Sequence, residues 1–73
     1  MTPLGQAVVE ALGEEWMTAE QVAGSPRVRG YLESHHKANF AHRLVTAALN
    51  GLCEDRVAEV WSDGSERRWR LRQ

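Results

Sequence analysis

Residues 39–54 constrain the fold of this chain more than any other part of the sequence. When they are placed at intervals of about 100°, as on an α-helix, apolar side chains from Phe40 onward cover one broad arc. The remaining arc, called the polar strip below, is narrow and acid-free, and consists of Asn39, His42, Arg43, Thr46 and Asn50. A helix with so wide an apolar face needs other elements of the chain to bury it.

The sequence before this helix predicts two shorter helices. Thr2 and Pro3 are typical of a helix start, because threonine caps free N–H groups and proline suits the first helical position. This helix is expected to run to Leu12. The spacing of Thr18 and Gln21 is that of a capping box, which predicts the start of a second helix.

Residues 24–37 separate the second helix from the long one. Two interpretations are open. Val28, Tyr31 and Leu32 would fall on one face of another short helix, whereas Gly30 favours a long loop.

The C-terminal part of the sequence predicts a β-hairpin. Residues 57–61 and 66–71 are β-prone runs, and Asp63 with Gly64 between them is a strong turn signal. This pair serves a two-residue turn or a three-residue turn with a bulge, so the register stays open. Alternation along the last strand places one set of side chains inward and the other outward. The inward set is Arg67, Trp69 and Leu71, and the outward set is Arg68, Arg70 and Arg72.

The size and composition of the chain exclude several classes of protein. Seventy-three residues form a single domain, expected over residues 1–73. Cys53 is the single cysteine, so the chain has neither an internal disulfide nor a Cys-x-x-Cys zinc motif, which favours a reducing compartment. No apolar run approaches the roughly 20 residues that cross a bilayer, and no targeting segment is recognised. We therefore expect a cytoplasmic protein without membrane association.

The net charge of −1 is distributed unevenly along the chain. Residues 1–25 contain four glutamates and no lysine or arginine, whereas residues 26–50 carry four basic side chains and one acid. Residues 51–73 balance five acids with five arginines. Such a distribution is compatible with a basic face that meets phosphate, and equally with ordinary solvation of a small surface.

The order of elements resembles that of the winged helix-turn-helix superfamily. The resemblance is carried by residues 16–23 at the second helix, by residues 44–57 at the exit of the long helix, and by residues 69–71 in the hairpin. It implies an α+β, mainly helical fold with a three-helix core and a C-terminal β-hairpin wing. The long segment 24–37 departs from the few residues usual at this position.

The resemblance also implies a small protein that binds double-stranded DNA, such as a transcriptional regulator or a phage or mobile-element protein. The third helix would lie in the major groove and the wing along the backbone. The implied contacts are Lys37, Asn39, His42, Arg43, Thr46, Asn50, Arg67, Arg68 and Arg70. This requires the polar strip and the outward arginines to face the same way.

Other interpretations of these residues stay open. Any surface helix shows a polar strip, and Glu59 and Glu66 could pair with the hairpin arginines. Trp61 near the wing tip is a possible protein interface. The near-neutral net charge, the acidic first half and the long segment 24–37 favour an interaction module that binds a regulator or polymerase subunit instead of DNA. His35 and His36 lack the spacing of a metal site, and no nucleophile motif is recognised. We therefore expect no metal, no cofactor and no enzymatic activity, and the sequence leaves the oligomeric state open.

Overall fold

The computed structural model describes residues 2–72, which form helices followed by a hairpin. The elements are α1 (Pro3–Ala11), α2 (Ala19–Ala23), α3 (Pro26–Ser34), a 3₁₀ helix (Ala38–Phe40), α4 (Ala41–Glu54), β1 (Ala58–Ser62) and β2 (Arg67–Leu71). This mainly helical α+β order with a C-terminal antiparallel hairpin has a winged-helix-like layout. The predicted fold class is confirmed.

The first two helices begin where their capping residues predict. The Thr2 hydroxyl accepts a hydrogen bond from the Gly5 N–H at 2.9 Å. At α2 the capping box is complete. The Thr18 hydroxyl accepts from the Gln21 N–H at 3.1 Å, and the Gln21 side chain accepts from the Thr18 N–H at 2.9 Å. Each cap gives a partner to N–H groups that the first helical turn leaves free.

Residues 24–37 form a helix and not a long loop. Val28 and Leu32 are buried, and α3 packs mainly against α1. The turn after α3 includes His36 in the left-handed region, with φ of 56°. Of the two interpretations left open for this segment, the short helix is therefore observed, and α3 contributes apolar side chains to the same core as the other helices.

The long helix α4 is the central element of the domain. Its buried residues are Val45, Leu49 and Leu52, and it packs against α1, α2 and β1. It begins two residues later than the sequence predicts, because residues 38–40 form a 3₁₀ helix before it. Phe40 therefore lies outside the buried arc and is 55% exposed.

The hairpin is joined to the N-terminal half by backbone hydrogen bonds. β1 and β2 pair antiparallel from Ala58 opposite Leu71 to Ser62 opposite Arg67. On the other edge of β2, Met17 and Trp69 exchange two N–H···O bonds of 2.8 Å. β2 therefore lies between the Met17 segment and β1, and β1 is an edge strand.

The register of the hairpin extends to its tip. The Asp63 N–H donates to the Glu66 carbonyl at 3.3 Å, which leaves Gly64 and Ser65 as the two residues of the turn. Gly64 has φ of 95°, a conformation that a residue with a Cβ adopts only with strain. The turn has two residues, but they are Gly64 and Ser65 and not the predicted Asp63–Gly64 pair.

One apolar core connects the helices with the hairpin. Val8, Val22, Val28, Leu32, Val45 and Leu49 are its largest fully buried side chains. Trp69 closes the core from β2 and is 3% exposed. Burial of each aliphatic side chain of this size contributes about 1.5–3 kcal/mol. Within residues 2–72, no helix has the length and apolar character that crossing a membrane requires.

Candidate nucleic-acid interface

Four of the five side chains of the polar strip are open to solvent. Asn39, His42, Arg43 and Asn50 are exposed, and Thr46 is half-buried. The strip stays open because α3 packs against α1 and leaves this side of α4 uncovered. These exposed side chains are therefore available to a ligand.

A groove runs between α4, the start of α2 and the hairpin tip, and is called the tip groove below. It has a volume of about 450 Å³, and its lining includes His42, Thr46 and Arg67. Arg67 comes to this side because it shares the inward face of β2 with Trp69 but lies beyond the core. The structure thus brings the polar strip and one of the three predicted wing arginines together.

Arg68 and Arg70 lie on the opposite face of the hairpin. Arg68 pairs with Glu66, with Nη2 to Oε2 at 3.2 Å, and Arg70 pairs with Glu59 on the neighbouring strand. The Arg70 guanidinium also stacks over the Trp16 ring, 4.3 Å from its centroid. The expectation that the outward arginines share a surface with the polar strip is therefore wrong.

Arg68 and Arg70 face away from the polar strip because side chains alternate along β2. Trp69 faces α4 and the core, so its neighbours Arg68 and Arg70 must point away from α4. The sequence correctly separated inward from outward residues. It did not show on which side of the sheet the polar strip would lie.

Three predicted site residues are cations without an ion pair among residues 2–72. They are Lys37, Arg43 and Arg67, and each is exposed. The basic residues of α3 differ from them, because Arg27 pairs with Glu10 and Arg29 pairs with Glu33. The unpaired cations therefore surround the polar strip, with two near the start of α4 and one across the tip groove.

The two ends of this surface differ in charge. Glu20 and Glu66 line the tip groove together with Arg67, so that end is mixed. At the start of α4, a depression of about 470 Å³ is lined by His35, His36, Lys37, Phe40, Arg43 and Leu44, none of which is acidic. The partial positive charge of a helix N-terminus adds to the attraction for anions there.

Phe40 is a surface residue that sequence reasoning missed. Its position in the helical periodicity placed it in the buried arc, whereas the 3₁₀ helix turns it outward between Lys37 and Arg43. The local sequence offers no clear signal for this turn, because residues 38–40 lack a capping side chain.

The histidines and the cysteine do not form a reactive centre in the described part of the chain. His35 stacks on Tyr31 with ring centroids 4.1 Å apart, and no group of three metal-ligating side chains occurs in residues 2–72. Cys53 packs partly against the core and not on the polar side, and this burial raises the pKa of its thiol. A raised pKa lowers the thiolate fraction and therefore the reactivity.

Comparisons of the chain with protein-family models, with curated proteins and with solved structures give no match. The interpretation of the surface around α4 therefore depends on its own side chains. Its distinguishing property is the combination of open hydrogen-bonding groups on a helix with unpaired cations around them.

Proposed function

We propose that this chain is a double-stranded DNA-binding domain of the winged helix-turn-helix type, of the kind found in small transcriptional regulators and phage or mobile-element proteins. One observation carries the proposal. The polar strip of α4 is exposed and acid-free, and the cations next to it have no carboxylate partner among the described residues.

The side chains of the polar strip suit the major groove. That groove is about 12 Å wide and admits an α-helix. Arg43 can donate two hydrogen bonds to guanine, and Asn39 and Asn50 can each pair with both N6 and N7 of adenine. Thr46 differs from them, because its hydroxyl oxygen is buried and has no hydrogen-bond partner among the described residues. Arg43 and Asn50 are already exposed on α4, and Asn39 is exposed on the 3₁₀ helix before it.

Contacts to phosphate would come from both ends of the surface. Lys37 lies beside the start of α4, where the helix N-terminus favours an anion. Arg67 extends from the hairpin across the tip groove and serves as the wing contact. Arg68 and Arg70 are instead engaged within the domain. Arg68 pairs with Glu66, and Arg70 pairs with Glu59 and stacks on Trp16.

The charge of the chain limits how DNA would be bound. A net charge of −1 gives no long-range attraction to a polyanion, so binding depends on the few local cations. Two or three phosphate contacts predict a slope of about −2 to −3 when the logarithm of the association constant is plotted against that of salt concentration.

The first prediction concerns these contacts and uses fluorescence anisotropy on a duplex selected from a random pool. Arg43→Ala should relax the preference for the selected sequence. Arg67→Ala should weaken binding to all duplexes alike and reduce the salt slope by about one. Lys37→Ala should behave as Arg67→Ala does.

Arg29→Ala is the matched control, because Arg29 is an exposed arginine on α3 whose partner is Glu33. It should leave duplex affinity unchanged. A flat salt response of the wild-type chain, or equal effects of Arg29→Ala and Arg43→Ala, would contradict the proposal. Circular dichroism of each variant verifies that the fold is kept.

A protein-interaction module is the second candidate, and one observation favours it. Trp61 is 47% exposed and lines a groove of about 360 Å³ with Trp16 and Arg68 on the outer face of the hairpin. Exposed tryptophan beside arginine is a common anchor of protein interfaces. If this alternative holds, the chain binds no duplex. If the first proposal holds, the chain binds duplex and Trp61→Ala leaves that affinity unchanged.

A further inference from the structure

Phe40 is an exposed aromatic ring with a cation on each side of it in the chain. Its side chain is 55% exposed at the end of the 3₁₀ helix, directly before α4. The Phe40 N–H donates to the Lys37 carbonyl at 3.0 Å, and side chains three residues apart in a 3₁₀ helix eclipse one another. Arg43 follows three residues later on α4, and this spacing also makes side chains neighbours on a helix surface.

These three side chains line the depression at the start of α4, which is called the Phe40 depression below. None of its lining residues is acidic, and neither Lys37 nor Arg43 has an ion pair among residues 2–72. One wall is held in place by His35, whose Nδ1 donates to the Tyr31 carbonyl at 2.9 Å and whose ring stacks on Tyr31. The depression therefore offers a flat apolar face between two available positive charges.

The other exposed aromatic side chain in the described part of the chain is Trp61, and its surroundings differ. Asp63 and Glu66 line the groove beside Trp61, and the arginine of that groove, Arg68, pairs with Glu66. The two carboxylates would repel an anion there. Of the two rings, Phe40 is therefore the one whose surroundings attract a negatively charged ligand.

We propose that the Phe40 depression binds an unpaired nucleotide of a DNA strand, with the base on the Phe40 ring and the flanking phosphates at Lys37 and Arg43. Every base has a flat face that stacks on an aromatic side chain, and the backbone that carries it is anionic. In an intact duplex these faces are covered by the neighbouring base pairs, so the ring suits a base outside the stack. A row of carboxylates alone would satisfy the cations and leave the ring in water.

This inference rests on the proposed DNA-binding function and adds a preferred form of DNA to it. Arg43 belongs both to the polar strip and to the Phe40 depression, so a strand of a duplex bound along α4 would continue toward Phe40. The preferred ligand is then a duplex with a single-stranded tail. One stacked base predicts that such a duplex binds about 5- to 20-fold more tightly than the blunt duplex.

Fluorescence anisotropy with matched DNAs tests the proposal. The DNAs are a blunt duplex, the same duplex with a short single-stranded tail of either polarity, and the tailed strand alone. The wild type should bind the tailed duplex of one polarity about 5- to 20-fold more tightly than the blunt duplex. Phe40→Ala and Phe40→Leu should lose this preference, because leucine keeps an apolar side chain but not the ring. Phe40→Tyr should retain it.

A second readout reports on stacking itself. The fluorescence of 2-aminopurine at the first unpaired position should be quenched when the wild type or Phe40→Tyr binds, and should not be quenched by Phe40→Leu. Trp61→Ala is the matched control, because it removes the exposed ring on the hairpin. This variant should keep both the preference for the tail and the quenching.

Several results would overturn the proposal. One is equal affinity of the wild type for blunt duplex and for tails of both polarities. Another is equal weakening of blunt and tailed duplexes by Phe40→Ala, which would place Phe40 against paired DNA. Displacement of the tail by deoxyadenosine monophosphate at equal concentration would assign the depression to a free nucleotide instead.

Failure of the proposed function is distinguishable from failure of this inference. If the wild type binds no duplex, the proposed function fails and the tailed strand alone decides the inference. Binding of that strand that is lost in Phe40→Leu and kept in Phe40→Tyr would support the Phe40 depression as a single-strand site. Absence of that binding would overturn the inference as well.

Discussion

At the scale of single residues, Asp63 shows how one side chain fixes the hairpin tip. Its Oδ1 accepts hydrogen bonds from the N–H groups of Ser65 at 3.0 Å and Glu66 at 2.9 Å, and from the Ser65 hydroxyl at 3.1 Å. These bonds favour the charged form, with the Glu66 N–H as the largest cause, and lower the pKa of Asp63 from its ordinary value of 3.8.

This lowered pKa predicts a pH dependence of stability. Because the pKa of Asp63 is lower in the folded state, its stabilising contribution is present above the unfolded pKa and is lost as pH falls through the folded pKa. Between pH 6 and about pH 2.5, the wild type should lose more unfolding free energy than Asp63→Asn does. Urea denaturation of both proteins at the two pH values measures the difference, and equal losses would contradict the assignment.

Single residues also show where sequence reasoning stopped. The outward position of Arg70 follows from strand alternation, and Glu59 was recognised as a possible partner. Its stacking on Trp16 could not be predicted, because those two residues are 54 positions apart in the chain and meet only after the Met17 segment joins β2.

At the scale of elements, the capping box sets the position of α2 and thereby one wall of the tip groove. α2 has five residues, too few to be stable without caps and packing. The cap at Thr18 and the buried side chains of Ala19 and Val22 supply both.

Thr18→Ala should lower the free energy of unfolding by about 1 kcal/mol, because it removes the acceptor for the Gln21 N–H. Thr18→Ser keeps a hydroxyl in the same place and should stay within about 0.5 kcal/mol of the wild type. Chemical denaturation of the three proteins measures the effect. If serine and alanine were equally destabilising, the loss would come from the threonine methyl group and not from the cap.

At the scale of the whole molecule, one core and two backbone connections couple the helices to the hairpin. Met17 bonds to Trp69, and the Leu71 N–H donates to the Gly13 carbonyl at 3.0 Å. Leu49 is fully buried at the centre of α4, which packs on both helices and strand. We therefore expect the domain to unfold in one cooperative transition.

Leu49→Ala tests this coupling, since it should cost about 2–5 kcal/mol, a large part of the stability of so small a domain. The three tryptophans lie in or beside the sheet, so their fluorescence reports on the hairpin, while far-ultraviolet circular dichroism reports on the helices. Both signals should shift to lower urea by the same amount. A shift in circular dichroism alone would show that the hairpin unfolds separately.

Features that depend only on neighbouring residues are the ones that could be predicted before the fold was known. The caps at Thr2 and Thr18, the apolar face of α4 and the turn at Gly64 all follow from local hydrogen bonding, helical periodicity and backbone sterics. These terms act over a few residues, so they can be read from the chain without knowing the fold.

Features that depend on residues far apart in the chain became visible only in the folded domain. Residues 24–37 became a helix because Val28 and Leu32 find an apolar surface on α1. Arg67 joined the polar strip, while Arg68 and Arg70 turned away from it, because Trp69 had to face the core under α4. Burial against a distant element carries more free energy than local propensity, and only the folded chain shows which surfaces meet.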